Sequence, residues 1–136
     1  MKNPDDLIML ARDWLGTPFH HQGRSRAGVD CVGVIILPAQ LLGLQINDML
    51  GYSHQPHGIL QHEIAKQLVR INICELAVGD VLLMQWDEPQ HVALVTNIAP
   101  LTVLHAFAQV RKVIEHELDP FMQKRITGVF RFKEYC

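Results

Sequence analysis

A cysteine at the junction of a polar loop and an apolar run is the first residue of this chain whose type and place suggest chemistry. Residues 16–30 are rich in glycine and polar side chains, and residues 32–44 are nearly all apolar, which predicts a loop followed by a buried helix. Cys31 lies between them, with Asp30 as the expected N-cap. Because a helix N-terminus favours negative charge, we expect a thiol pKa below the free value of about 8.5. The alternative is that Cys31 is simply a small buried hydrophobic residue.

Two histidines could complete a catalytic site with this cysteine. His91 begins the apolar run 91–95, and His105 lies inside the run 102–106, so the separations are 91 − 31 = 60 and 105 − 91 = 14 residues. A cysteine nucleophile needs a base, and the base needs a partner that orients it. Cys31, His91 and His105 are therefore predicted as nucleophile, general base and orienting residue. Otherwise His91 would be a surface histidine and His105 a satisfied core histidine.

Short motifs around these residues follow one another with ordinary spacing. They are Gly16-Thr17-Pro18-Phe19, Asp30-Cys31-Val32-Gly33, Gly79-Asp80, His91-Val92-Ala93 and Leu104-His105-Ala106. Each is weak alone. Together they resemble the Gly-Thr-Pro-Tyr, Asp-Cys-Ser-Gly, Gly-Asp turn, base and third-residue segments of the NlpC family of cell-wall peptidases, which are papain-like cysteine peptidases. The resemblance covers about residues 4–132.

The resemblance implies a fold and a reaction. The fold would be α+β and papain-like, with N-terminal helices packed on an antiparallel sheet and the nucleophile at a helix N-terminus. Cys31 would attack the amide between γ-D-glutamate and the diamino acid of a peptidoglycan stem peptide and form a thioester. His91 would act as the base and His105 as its partner, and the backbone N–H of Cys31 would bind the oxyanion. No cofactor is implied.

The same resemblance implies a set of substrate-binding residues. Asp30 would contact the free amino end of the substrate as well as capping the helix. Many relatives add a tyrosine hydroxyl to the oxyanion site, but Phe19 stands at that position in this sequence. We therefore expect a donor from His20, His21 or Gln22, and the sequence does not select one of the three.

Two segments are most similar to the subgroup of the family found in tailed-phage tail proteins: Thr-Pro-Phe-His-His-Gln-Gly and Val-Asp-Cys-Val-Gly. This predicts a tail-associated protein with tail proteins as partners, made in the cytoplasm without a signal peptide and delivered to the cell wall. Residues 45–58 lie outside every motif and are the predicted partner-binding segment. Two alternatives stay open: a tail assembly or structural protein with secondary or no hydrolysis, and a papain-like amidase or acyltransferase acting on another substrate.

Composition narrows the function classes. The chain has 136 residues, of which 49% are hydrophobic and 19% charged, which predicts one globular domain over residues 1–136. The net charge of −2 gives no basic face for nucleic acid, and no apolar run is long enough for a bilayer. Three cysteines outside any CxxC pair argue against a disulfide framework. A metal cluster of His54, His57 and His62 is disfavoured because no Cys or carboxylate spacing supports it. A zinc enzyme that uses Cys31, His91 and His105 is the least favoured alternative.

The pattern of apolar residues predicts helices first and strands afterwards. Asn3-Pro4 should begin a helix that ends near Gly16, and Pro38 should kink or split the helix after Cys31. A third helix is predicted over about residues 60–71. Strands are predicted over about residues 80–86, 91–98, 102–108, 111–118 and 127–133, with a short turn or helix from Asp119. Short connections between these strands favour an antiparallel sheet.

Overall fold

The protein is described from a computed structural model, over residues 3–49, 59–85 and 90–136. The helices are α1 Pro4–Arg12, α2 Gly33–Leu42, α3 Ile59–Gln67 and α4 Pro120–Gln123. The strands are β1 Arg24–Ser25, β2 Gly28–Val29, β3 Val69–Ile71, β4 Val81–Gln85, β5 Gln90–Asn97, β6 Thr102–Phe107, β7 Lys112–Glu117 and β8 Ile126–Arg131.

Six of the strands form one antiparallel sheet in the order β3-β8-β4-β5-β6-β7. The main core lies between this sheet and the helices, and it includes Leu7 of α1, Val34 of α2 and Leu94 of β5. Alternate residues of the strands, such as Val95 and Val129, form a smaller core on the other face. The predicted α+β class, with helices packed on an antiparallel sheet, is confirmed.

Local signals in the sequence explain where α1 begins. The Asn3 side chain accepts a hydrogen bond from the Asp6 N–H at 2.9 Å, and the Asp6 side chain accepts one from the Asn3 N–H at 3.4 Å. This capping box satisfies two backbone donors of the first turn, and Pro4 at the first helical position has no donor to satisfy. The apolar face of α1 then packs against α2 in the main core.

The second helix is apolar on nearly all sides, because it is buried between α1 and the sheet. It ends at Gly43, whose φ of 92° is the left-handed conformation that glycine adopts without strain. Pro38 lies inside α2, which runs unbroken from Gly33 to Leu42. Of the predicted kink or split, the split is therefore wrong. Burial of both flanks supplies enough packing free energy to hold the helix across one missing backbone hydrogen bond.

Three elements differ from the sequence prediction. The first helix ends at Arg12, four residues before the predicted end at Gly16. The third helix ends at Gln67 rather than near residue 71, and Val69–Ile71 instead form the edge strand β3, paired with β8. The helical spacing of the apolar residues continued past the true end of the helix, whereas the β-branched Val69 and Ile71 suit a sheet edge. The predicted loop 16–30 also contains the small ribbon of β1 and β2.

Candidate active site

Cys31 lies in the turn that leads into α2, two residues before the first helical residue, and it is 8% exposed. The Gly33 N–H donates to Oδ1 of Asp30 at 2.8 Å. A carboxylate that accepts from the N–H three residues later satisfies a free donor of the first turn, so Asp30 caps the helix as predicted. The predicted placement of the cysteine at a helix N-terminus is confirmed.

The Asp30 carboxylate also ties the preceding loop to this turn. Oδ2 accepts from the Gln22 N–H at 2.9 Å, and Oδ1 accepts from Nη1 of Arg24, also at 2.9 Å. Arg24 reaches further to the carboxylate of Asp48, 2.9 Å away. Because Asp30 is only 1% exposed, these contacts are made with little competition from water. The turn that carries Cys31 is therefore held from both sides.

The two predicted histidines are in direct contact. Nε2 of His91, on β5, lies 2.6 Å from Nδ1 of His105, on β6. His91 is 9% exposed and His105 is fully buried. Phe107 stacks on the His105 ring, with centroids 4.8 Å apart and planes 15° from parallel. The structure therefore places His105 where it orients one nitrogen of His91.

Cys31 meets the same strand at the same end. Its thiol faces the backbone N–H groups of Val92 and Val32. Over the described residues, β5 pairs with β4 from Gln90 onward, whereas its pairing with β6 begins only at Leu94. Sγ thus lies against β5 one residue beyond His91, near the end where β5 and β6 are not yet paired.

The environment of Cys31 does not favour the thiolate. Burial, followed by the negative charge of Asp30, raises the pKa of the Cys31 thiol to about 12. The N–H groups of Val92 and Val32 and the charge of Arg24 act in the opposite direction without reversing this. The expected low pKa is therefore wrong, because the desolvation of a buried anion outweighs the helix terminus. The resting site holds a neutral thiol.

The two histidines are also held neutral. Burial lowers the pKa of His91 to about 4. Burial, followed by the neighbouring His91 and His116, lowers the pKa of His105 to about 2. Both rings are therefore uncharged at neutral pH, when each has one N–H donor and one acceptor nitrogen. A neutral His91 can accept a proton, as a general base must.

The predicted substrate-side residues lie on the loop that Asp30 anchors. The Phe19 N–H donates to the Arg111 carbonyl at 2.8 Å, and the Phe19 ring packs against the main core. His20 is exposed, while His21 and Gln22 are half-buried. Phe19 also forms an isolated bridge with Val29, two residues before Cys31. Their roles toward substrate stay predictions.

The sequence reasoning missed two residues that the structure adds to this site. His116, on β7, lies 2.9 Å from His105 through Nε2 of both rings. Arg24 forms the ion pair with Asp30. The only sequence signal for His116 was its place on the predicted alternating strand 111–118, and that pattern did not distinguish it from a surface residue. Arg24 lies six residues before Asp30, but a basic and an acidic residue at that spacing in a loop do not by themselves indicate an ion pair, and its second partner Asp48 is distant in sequence.

Three further predictions concern a metal cluster, a membrane span and a partner-binding segment. Among residues 3–49, 59–85 and 90–136, no three His, Cys, Asp or Glu side chains are placed to hold a metal ion. No helix in that part of the chain is long and apolar enough to cross a membrane. His54 and His57 lie outside the described residues, as do residues 50–58 of the predicted partner-binding segment 45–58.

The chain is similar to known proteins in family and in fold. Residues 16–131 match the NlpC/P60 family. No curated protein matches the sequence significantly. Similar solved structures include an NlpC/P60 family protein from Bacillus cereus, with a TM-score of 0.76, 23% identity and coverage of 96% of this chain and 40% of that one.

Two mycobacterial structures are also similar. The peptidoglycan hydrolase RipB from Mycobacterium tuberculosis has a TM-score of 0.70 and 20% identity, with 97% of this chain and 65% of that chain covered. RipD from the same organism is described as a non-catalytic NlpC/p60 domain protein adapted to peptidoglycan binding. Its TM-score is 0.69 and its identity 15%, with coverage of 96% and 97%.

This chain thus spans two-fifths of the Bacillus cereus protein and about two-thirds of RipB. At these identities the structural likeness shows the fold, which is the papain-like α+β fold expected from the motifs. The family match covers most of the chain and includes the segments around Cys31, His91 and His105. The chain therefore belongs to the NlpC/P60 family.

Proposed function

We propose that this chain is a cysteine peptidase that hydrolyses peptidoglycan stem peptides at the amide between γ-D-glutamate and the diamino acid. The observation that carries the proposal is the 2.6 Å contact between His91 Nε2 and His105 Nδ1, on the strand that the Cys31 thiol touches. A buried nucleophile, a neutral base and a partner for that base are the parts that acyl transfer requires. The peptidoglycan hydrolase RipB among the structural neighbours supports the substrate class.

Acylation begins from neutral partners. Nδ1 of His91 takes the thiol proton while Sγ of Cys31 attacks the amide carbon, so that no free buried thiolate has to form beforehand. His105 hydrogen-bonds the other nitrogen of His91 and stabilises the imidazolium while it exists. The backbone N–H of Cys31 binds the oxyanion. His91 then protonates the leaving amine, the C–N bond breaks and a thioester remains.

Deacylation uses the same residues in reverse. His91 takes a proton from a water molecule, which attacks the thioester carbon. The C–S bond breaks, the carboxylate product leaves and the proton returns to Cys31. His105 keeps His91 in one orientation through both half-reactions, which is the contribution expected of the third residue in such a site.

Asp30 has a structural task that limits its part in substrate binding. Both of its oxygens already accept hydrogen bonds within the protein, from Gln22, Arg24 and Gly33. We propose that it acts mainly by holding the turn of Cys31, and that any contact with the substrate amine adds to these bonds. Without a tyrosine hydroxyl at Phe19, the second oxyanion donor comes from the His20–Gln22 loop.

The test is mass spectrometry of muropeptides after incubation of purified peptidoglycan with wild type or Cys31→Ala. Wild type should release fragments with a new free amine on the diamino acid, and Cys31→Ala should not. Cys74→Ala is the matched control, because Cys74 is exposed and far along the chain from the site. Unchanged muropeptides with folded wild type would reject the proposal and favour a binding role of the kind described for RipD.

We further propose that the protein is a component of a phage tail, which is supported only by the sequence of the motifs around Cys31. The protein would then reach the cell wall as part of a tail and bind tail proteins. Purified virions or tail particles would be digested and their peptides identified. If the chain is absent from particles and does not co-purify with tail proteins, the tail setting is rejected and a free wall hydrolase becomes the better account.

A further inference from the structure

The contact between His91 and His105 continues to a third ring. Nε2 of His105 lies 2.9 Å from Nε2 of His116, and Nδ1 of His116 lies 2.8 Å from the backbone carbonyl of Glu117. The four groups form one uninterrupted row from the start of β5, across β6, to the edge strand β7. Neighbouring strands bring the second and third rings together on one face, since His105 pairs with Ile114 and His116 with Val103.

A neutral histidine in the third position poses a problem that a carboxylate would not. A carboxylate only accepts hydrogen bonds, so it leaves His91 no choice of tautomer. Neutral His105 can either accept from His91 or donate to it through Nδ1. Its fully buried ring has no bulk water to decide between the two. Some further group must decide which of the two ring nitrogens of His105 carries the hydrogen.

The carbonyl of Glu117 is that group. A carbonyl oxygen only accepts, so Nδ1 of His116 must carry a hydrogen. When His116 carries one ring hydrogen, its Nε2 is then an acceptor, and it takes the hydrogen of His105 Nε2. This leaves Nδ1 of His105 as an acceptor for the hydrogen on His91 Nε2. The basic lone pair of His91 then belongs to Nδ1.

We propose that His116, anchored by the Glu117 carbonyl, is a positioning residue that sets the tautomer of His91 through His105. The inference deepens the proposed function, because it names what keeps Nδ1 of His91, the ring nitrogen that does not contact His105, available as the base. It rests on the three contacts in the row, which the protein makes without substrate.

The proposal predicts opposite effects from two substitutions at one position. His116→Glu presents only acceptors to His105, so it should keep the hydrogen of His105 on Nε2 and the hydrogen of His91 on Nε2. His116→Lys presents only donors, so His105 must accept through Nε2 and donate through Nδ1, and His91 must carry its hydrogen on Nδ1. Wrong placement of that hydrogen should lower kcat/KM by about 100-fold, within the range that a general base contributes.

The experiment is ¹⁵N NMR of histidine-labelled protein, which distinguishes protonated from unprotonated ring nitrogens. Wild type and His116→Glu should show His91 protonated at Nε2, and His116→Lys should show it protonated at Nδ1. Glu117→Gln is the matched control: it keeps the backbone carbonyl and should leave the wild-type pattern. The same His91 tautomer in the Glu and Lys variants would overturn the proposal.

If His116→Lys does not fold, His116→Leu replaces it, and it should give a mixture of His91 tautomers instead of one. A single wild-type tautomer in His116→Leu would equally overturn the inference. The NMR readout needs no substrate. A wild-type protein with the expected tautomer but no hydrolysis would therefore reject the proposed function and leave the role of His116 standing.

Discussion

Oδ1 of Asp30 and Nη1 of Arg24 lie 2.9 Å apart, and both side chains are largely withdrawn from solvent beside the Cys31 turn. Arg24 also pairs with Asp48 at 2.9 Å. One guanidinium thus joins the strand β1, the turn before α2 and the segment that follows α2. The geometry of the nucleophile depends on this link.

Replacement of Arg24 by methionine should therefore destabilise the protein and lower its activity. Removal of the guanidinium leaves the Asp30 carboxylate buried without its ion-pair partner, which costs about 3–5 kcal/mol of unfolding free energy. The measurement is urea unfolding together with kcat/KM. Arg26→Met is the control on the same ribbon: its partner Asp13 is exposed, so the loss should be about 1 kcal/mol or less. Equal losses in the two variants would contradict this account.

Cys31 should react slowly with iodoacetamide at neutral pH. Burial raises the pKa of its thiol to about 12, so the thiolate fraction is small near pH 7 and grows toward alkaline pH. The rate is measured by mass spectrometry between pH 6 and the alkaline limit of folding, with the exposed Cys74 in the same chain as the internal reference. An apparent pKa for Cys31 below the free value of about 8.5 would show that the helix terminus outweighs burial after all.

Stability should fall as the solution is acidified, in part because of the buried histidines. Their pKa values are lowered to about 4 for His91 and about 2 for His105, against an ordinary value of 6.5. The unfolded chain thus binds more protons below about pH 6.5. Each histidine then removes up to about 1.4 kcal/mol of unfolding free energy per pH unit, down to its own folded-state pKa.

This pH dependence is measured by urea unfolding from pH 7 to pH 4. His105→Asn should have a shallower slope than wild type, because one of the two buried histidines no longer takes up a proton on unfolding. A wild-type slope in His105→Asn would mean that His105 is not held neutral by the fold.

The three predicted catalytic residues should differ in their effects on activity. Cys31→Ala should abolish hydrolysis, and His91→Ala should lower kcat by about 10²–10⁴-fold, because it removes the base. His105→Ala should retain more activity than His91→Ala, since it removes only the partner that orients the base. Far-UV circular dichroism is needed alongside, because truncation of the buried His105 ring leaves a cavity. Full activity in a folded His105→Ala would assign His105 to the core alone.

The sequence by itself determined much of the architecture and identified the candidate residues of the site. Local signals placed the capping box at Asn3, the capped turn at Asp30-Cys31 and the glycine stop at Gly43, because such signals act within a few residues. Alternating apolar residues located the five main strands of the sheet. The order of Cys31, His91 and His105 indicated papain-like chemistry before any contact was known.

Only the tertiary structure decided how these parts act together. It ended α3 at Gln67, since pairing with β8 drew Val69–Ile71 into the sheet. It reversed the expected pKa shift of Cys31, because burial is a property of the packed molecule and not of a helix terminus. It also brought His116 and the Glu117 carbonyl to His105 across β6 and β7. Charge, tautomer and ion-pair partners depend on residues distant in sequence, and a one-dimensional pattern carries no record of those distances.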